Sequence, residues 1–575
     1  MQVRRFRALT AFVRERPVDT AFVGMVIAGC LLIFWLGRTS TFRLDDWVFI
    51  SERPPYAPDY LMVPHNEHWS FFMKLAFQLI FAVVGMRSYL PYLAVLMVAQ
   101  GAVVVAVYGA VSAAAGRVLA FPVGTVMLFL GSGHENLFWY AGFGVMLSLA
   151  TGATATWLLL ARPTSSRVPL TVFGLLVISV MNSGVGLAFV AGLAVAVLVD
   201  PVRRPGWWGP VGAGLVYVGW YAIWGRSSVS GLTLDSVLGM PAFMFAGAAN
   251  GFAGATGLGR EIGGVAVVVV VGSVLVRLVG GRRPPFAATA GTVGLLAFLG
   301  ITALARDSGP LGAATAWAPR YITTTVMLLA IAIAGLLGRP SDRSAATLRA
   351  LAIAPLLVVA LVSNGSDLTD AAKSYANDAT AVRATLVAWD RYQDAPAVRD
   401  SKPLEWDQAQ LRTLLTEYGS PTRDEIRPKV VLEIPPDAMD RALFGLVGDE
   451  FTVAPDTGGG GTLAPTVVGQ FQMGLQVASG CLPVQPLGPD GQVWFSVPSG
   501  ASLRLETAGW GDVGVFLAHD AAFQEATAIH RTVLAQTPYR ITVPDMGPGF
   551  TWRVDIKLGT GIRSASICAL AQPAR

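Results

Sequence analysis

Asp45 and Asp46 stand side by side between Arg43-Leu44 and Trp47, just beyond an apolar run. Adjacent carboxylates repel each other, and their ionised forms are poorly placed beside lipid unless they are used. One of them can act as a general base towards an acceptor hydroxyl, or the pair can bind a divalent cation (Mg, Mn or Ca). The local alternative is that either aspartate caps a following helical turn. The same stretch continues through Pro54-Pro55-Tyr56 to Pro64-His65-Asn66-Glu67-His68-Trp69. His65, Glu67 and His68 are spaced more tightly than the His-Glu-x-x-His zinc signature. Polar contacts with a substrate or with the aspartates therefore rank ahead of metal ligation, and no metal ligand set is assigned.

Further along, His134, Glu135 and Asn136 precede the aromatic run Phe138-Trp139-Tyr140. The aromatics alone read as a membrane-interface belt, but three polar residues in front exceed what a belt needs. Asn182 either lines the same site or satisfies a buried carbonyl. Arg320, followed by Tyr321, opens another apolar run and, with Lys74, can neutralise a phosphate. The alternative for Arg320 is an arginine snorkelling to lipid headgroups.

These residues punctuate a chain built for lipid. Of 575 residues 53% are hydrophobic and 14% charged, with a mean hydropathy of +0.54. A soluble domain carries about a quarter charged residues. Apolar runs occur at 21–36, 90–112, 117–131, 136–160, 168–181, 184–199, 208–225, 262–280, 285–304, 321–338 and 347–363, predicting about eleven spanning helices. Segment 69–86 reads as an interfacial helix, with Lys74 and Gln78 on one side. Counting it as a span would export Arg117 and invert every later loop. Left out, it keeps Arg117, Arg162, Arg167, Arg203, Arg204, Arg282, Arg283, Arg339, Arg343 and Arg349 on the cytoplasmic side. The N-terminus, with Arg4, Arg5, Arg7, Arg14 and Arg16, then lies inside, ahead of an uncleaved first helix. The outer face receives residues 38–89, 131–136, Asn182, the loop from Arg226 to Glu261 and the loop from Arg306 to Arg320. With the arginines setting topology, a net charge of +5 is no argument for nucleic acid.

Residues 364–420 read as a helical connector and 421–575 as an extracytoplasmic β-sandwich or jelly roll, after the membrane domain 1–363. Strands are expected at 429–434, 451–454, 492–497, 503–506, 513–517, 539–543, 551–556 and 564–570, with Gly458–Gly461 a flexible loop. Trp494, Trp510 and Trp552 form either a platform for sugar rings or part of the core. Cys30 packs within the first apolar run. Cys481 and Cys568 sit in a tail expected to face an oxidising compartment, and a disulfide between them is predicted, two buried thiols being the alternative.

The order of parts resembles the C-type (GT-C) glycosyltransferase superfamily over residues 18–363. It consists of a first helix, the pair Asp45-Asp46 in the first outer loop, a His/Pro-containing stretch, and an interfacial helix ending in Gly85-Met86-Arg87-Ser88-Tyr89-Leu90-Pro91. The resemblance implies a polyprenyl-phosphate sugar donor, a cell-envelope glycan or lipid acceptor, and membrane lipids as partners. It also implies inverting transfer, with Asp45 or Asp46 as base and Arg320 and Lys74 holding the phosphate. No cofactor beyond an optional divalent cation is implied. The tail is similar in kind to the carbohydrate-binding modules of actinobacterial cell-wall arabinofuranosyltransferases, whose donor is decaprenylphosphoryl arabinose. Two rivals are a transporter or flippase of lipid-linked sugars, and a non-catalytic glycan-binding scaffold of the envelope.

Overall fold

The computed structural model describes residues 17–52, 57–225, 234–306, 315–422, 434–456, 481–484, 492–519 and 527–570. The basic N-terminus, residues 429–433 of the expected first strand, Gly458–Gly461 and the side chain of Cys481 lie outside them. The chain divides into two units: Met1–Val84 with Tyr89–Ala376, and Gly85–Ser88 with Asn377–Arg575.

The first unit is helical: α1 (Pro17–Leu36), α2 (Asp45–Ser51), α3 (Phe71–Val84), α4 (Leu90–Ala115), α5 (Arg117–Leu128), α6 (Glu135–Phe138), α7 (Gly142–Ala161), α8 (Val168–Asn182), α9 (Gly186–Val199), α10 (Trp208–Ile223), α11 (Leu234–Thr256), α12 (Arg260–Val279), α13 (Phe286–Arg306), α14 (Pro319–Leu337) and the first part of α15 (Arg343–Tyr392). Among the described residues eight helices are long and apolar enough to cross a membrane, and α3, α5, α8 and α9 are shorter apolar helices. This suggests a membrane protein.

Helix lengths here have identifiable causes. Buried Gln100 of α4 donates from Nε2 to the carbonyls of Met127 (2.9 Å) and Leu128 (3.2 Å), which have no partner further along α5. The helix stops after 12 residues, about 18 Å, with Gln100 satisfying its last carbonyls, and the chain turns at Gly131–Gly133. At Gly131 a Cβ would overlap the Asn364 carbonyl oxygen and the Leu368 nitrogen of α15, so only glycine fits there. Asn364 locks the same crossing: Oδ1 accepts from the Ser132 N–H (3.2 Å), and Nδ2 donates to the Gly254 carbonyl of α11 (2.8 Å). Glycines also bring α13 and α14 together, since Gly291 faces the backbone of Leu328 and Ala332.

Two sequence expectations need correction. The expected outer loop from Arg226 to Glu261 contains α11, 23 residues long and among the candidate spans. Its mixture of Gly, Ala, Met and Phe hides it, since Pro241 and frequent small residues dilute the apolar signal. The run 136–160 is not one helix: the backbone of Trp139 is extended and separates α6 from α7. Helix α15, 50 residues long in all, runs on from the last apolar run into the expected helical connector, and the division between units falls after Ala376.

The second unit adds α16 (Gln408–Glu417), α17 (Pro436–Val447) and nine described strands: β1 (Thr452–Pro455), β2 (Cys481–Val484), β3 (Gln492–Pro498), β4 (Ser502–Ala508), β5 (Gly511–Ala518), β6 (Ala528–Val533), β7 (Tyr539–Thr542), β8 (Thr551–Leu558) and β9 (Ser564–Leu570). They form a five-stranded sheet ordered β1-β7-β4-β9-β2 and a four-stranded sheet ordered β3-β8-β5-β6, with every described pairing antiparallel. β4 alternates, burying Leu503, Leu505 and Thr507, whereas β5 is buried almost throughout. Helix α17 packs on β5, and its Asp440 Oδ1 accepts from the His519 N–H (2.8 Å). The register sets Cys481 opposite Cys568. Trp552 is core, 1% exposed, with Nε1 donating to the Pro544 carbonyl, while Trp510 is 72% exposed. The three tryptophans therefore do not share one platform.

Candidate functional site

The cavity that gathers most of the sequence candidates lies wholly within the helical unit. It measures about 260 Å³ and is walled by Asp45, His65, His68, Glu135, Asn136, Asn182 and Arg320, together with Ser70, Met73, Trp139 and Ser183. Positions separated by up to 275 residues in sequence (Asp45 to Arg320, 320 − 45) converge on it.

Each wall is built by a local device. Leu44 takes φ +44, a costly conformation for a residue with a branched side chain, and starts α2 so that Asp45 and Asp46 occupy its first turn. The two aspartates then diverge. Asp45 lines the cavity and is 31% exposed at its side chain. Asp46 is 0% exposed: its Oδ2 accepts from the Arg43 N–H (3.2 Å) and the Tyr89 hydroxyl (3.3 Å), and its Oδ1 has no partner. Burial raises its pKa to about 8, ahead of the bond from Arg43 that lowers it and the neighbouring Asp45 charge that raises it. Neither aspartate caps α2, whose N-cap position is Leu44 and makes no side-chain capping bond; Asp46 instead holds the backbone of Arg43 just ahead of the helix.

A tight turn carries the histidines. His65 and His68 exchange backbone bonds (2.9 and 3.0 Å), with Asn66 at φ +51 and Ser70 at φ +58. His65 Nε2 stands 3.4 Å from Asp45 Oδ2, too long for a good hydrogen bond, so this nitrogen lacks a partner in hydrogen-bond geometry. His68 Nδ1 accepts from the Gly184 N–H (3.2 Å), which pins the turn after α8 to the turn after α2 and fixes the remaining proton on Nε2. On the opposite wall Arg320 Nη1 meets Glu135 Oε2 at 3.3 Å, and Asn136 Nδ2 donates to the Arg320 carbonyl (2.9 Å) and Thr323 Oγ1 (3.3 Å). Asn182, 1% exposed, donates from Nδ2 to the Ile178 carbonyl one turn back (2.7 Å), and its Oδ1 has no partner.

Five candidates lie elsewhere. Asp46 is behind the cavity wall. Lys74 is 1% exposed, donating to the carbonyls of Tyr60 and Val63 (3.1 Å each) over the Tyr60 ring (4.5 Å); it fastens the loop ahead of α3 rather than facing a ligand. His134 turns to Tyr375 (ring centroids 6.0 Å), and burial depresses its pKa against the charges of Glu135 and Asp367. Tyr321 packs against Phe243, Ala303 and Ala316. Glu67 is half-buried and outside the lining. Conversely, Trp139 lines the cavity with Nε1 unpartnered, where the sequence suggested only a belt aromatic. Its position directly behind three polar residues was the available signal. Among the described residues no group of three His, Cys, Asp or Glu side chains is disposed to hold a metal ion.

No family model matches this chain, and no curated protein and no solved structure matches it. The reading of the site rests on its own chemistry.

Proposed function

We propose that this chain is a membrane glycosyltransferase of the GT-C kind, moving a sugar from a polyprenyl-phosphate donor to a cell-envelope glycan or lipid on the extracytoplasmic side. The supporting observation is one cavity that joins an accessible carboxylate, Asp45, to a guanidinium, Arg320, which is paired with Glu135. In the proposed step Asp45 takes the proton of an acceptor hydroxyl as its oxygen bonds to the anomeric carbon from the opposite face. The bond from that carbon to the phosphate oxygen breaks, and polyprenyl phosphate leaves with the electron pair beside Arg320. An arabinofuranosyl donor is the finer form of the proposal.

We infer about eleven spans, with the N-terminus inside and the second unit outside, and an even number of crossings between the end of α10 and the start of α14 supports the count. The Glu135–Arg320 pair sets the end of α5 and the start of α14 at one end of the helical unit. Asn182, at the end of α8, lines the same cavity, and Trp220, at the end of α10, bonds to the Met62 carbonyl. Only two of α11, α12 and α13 can then cross. Gly254 of α11 lies against Ser132 and Asn364 at that same end, so α11 is the helix that does not.

The test is transfer of radiolabelled sugar from a panel of polyprenyl-phosphate donors by wild type, Asp45→Asn and Asp46→Asn at matched expression. Asp45→Asn is expected to lose about 10²–10⁴-fold in rate, with Asp46→Asn within a few-fold of wild type. Equal transfer by Asp45→Asn and wild type would remove the assigned base, and no transfer from any donor would sink the transferase reading.

A further inference from the structure

We propose that Asn182 and Trp139 are specificity-determining residues that read hydroxyls of the transferred sugar. The inference rests on the glycosyl-transfer reading for the identity of the ligand, but its observations are separate from the catalytic pair.

Buried polar atoms in folded proteins almost always have partners, and each exception calls for an explanation. Among the described residues three such exceptions fall in the lining of this one cavity: His65 Nε2, Trp139 Nε1 and Asn182 Oδ1. The Nε2 of His65 has Asp45 nearby, which leaves the other two. The orientation of the Asn182 amide is chemically enforced. Its nitrogen donates to the Ile178 carbonyl at 2.7 Å, and a flipped amide would set two acceptors against each other. Oδ1 is therefore an acceptor awaiting a donor. An indole N–H can only donate, so Trp139 awaits an acceptor.

The surroundings hold both side chains still. Behind Asn182, Ser183 Oγ accepts from the Val185 N–H (3.3 Å), and the Gly184 N–H is held by His68. Gly144 of α7 brings that helix against the Asn182 carbonyl, where a Cβ would stand at 3.1 Å. Trp139 is fixed between Phe138, 0% exposed, and Tyr140, whose N–H donates to the Tyr89 hydroxyl (2.8 Å). A rigid acceptor and a rigid donor in one small cavity match a group that gives one hydrogen bond and takes another. Sugar hydroxyls do so, whereas a phosphodiester has no proton to donate. A site built in this way rejects an analogue lacking the hydroxyl, because the protein atom is then left buried and unpaired.

The experiment uses the full chain in lipid nanodiscs with polyprenyl-phosphate pentose and hexose donors and their single-deoxy analogues, following binding by calorimetry and transfer by radiolabel. Wild type is expected to bind at least one deoxy analogue about tenfold to a hundredfold more weakly than its parent. Asn182→Leu should erase that discrimination at one hydroxyl, and Trp139→Phe, which keeps a ring in place, should erase it at a different one. Discrimination that survives in both variants overturns the inference, as does a wild type indifferent to deoxygenation or one that binds no sugar donor. Discrimination that is erased as expected while wild type transfers nothing upholds the inference and rejects the transferase reading instead.

Discussion

At the scale of single residues, neighbours in sequence have opposite environments. Asp45 and Asp46 look interchangeable in the chain, yet one lines a cavity and the other is fully buried. The consequence of burial can be measured. An unfolded aspartate titrates near 4, while folding raises Asp46 to about 8. The folded protein therefore holds a proton that the unfolded chain releases between these values. The contribution to stability is full below about pH 4 and is lost as pH rises through about 8. Thermal unfolding in detergent between pH 4 and 9 should show wild type losing stability across that window, with Asp46→Asn flatter and relatively more stable at pH 8. A parallel pH dependence in the two proteins would show that Asp46 is not the group responsible. The sequence could nominate both carboxylates because residue type suffices for that. It could not separate them, since the choice depends on Tyr89 and the backbone of Arg43, contacts made only after folding.

At the scale of elements, the site exists because several helices end early. Helix α5 stops where Gln100 takes its last carbonyls, α8 stops at Asn182, and α9 begins four residues later. The apolar runs that become these helices were legible from hydropathy. The breaks that create the cavity were not, because a buried glutamine and the extended backbone at Trp139 leave no periodic trace. Helix α11 escaped for a related reason: its packing face uses Gly247, Gly251 and Gly254 rather than large apolar residues. The crossing of the Gly131 turn with α15 is the most demanding contact of this kind. Gly131→Ala is expected to push α15 away from the cavity wall and to cost several kcal/mol, in the range of severe overpacking. Detergent-solubilised yield and melting temperature should both fall. A variant that melts with wild type would mean that α15 yields easily there.

At the scale of the whole molecule, the division into a helical unit and a strand-rich unit was plain from composition, because charge returns to the sequence where the apolar runs cease. The strand expectations at 492–497, 503–506, 513–517, 551–556 and 564–570 fall on β3, β4, β5, β8 and β9. The strands β2 and β6 were missed. Each is short, and neither alternates clearly. The register of β2 with β9 sets the two cysteines of the expected disulfide opposite each other, and we propose that it closes in the oxidising compartment outside the membrane. Non-reducing peptide mapping of the protein purified from native membranes should recover the two cysteines as one cross-linked species. Recovery of both as alkylatable thiols would argue for a reducing location and against the proposed orientation.

The shortness of α5, α8 and α9 has a further consequence for how the protein meets its lipid. Helices of 12, 15 and 14 residues reach about 18–22 Å, well under the ~30 Å of a hydrocarbon core. Their longer neighbours, such as the 26-residue α4, are long enough to span it. On the proposed membrane reading, such a mismatch is one that the bilayer must thin to meet or water must fill beside the polar cavity. Turnover should then depend on bilayer thickness, falling as the acyl chains of the host membrane are lengthened.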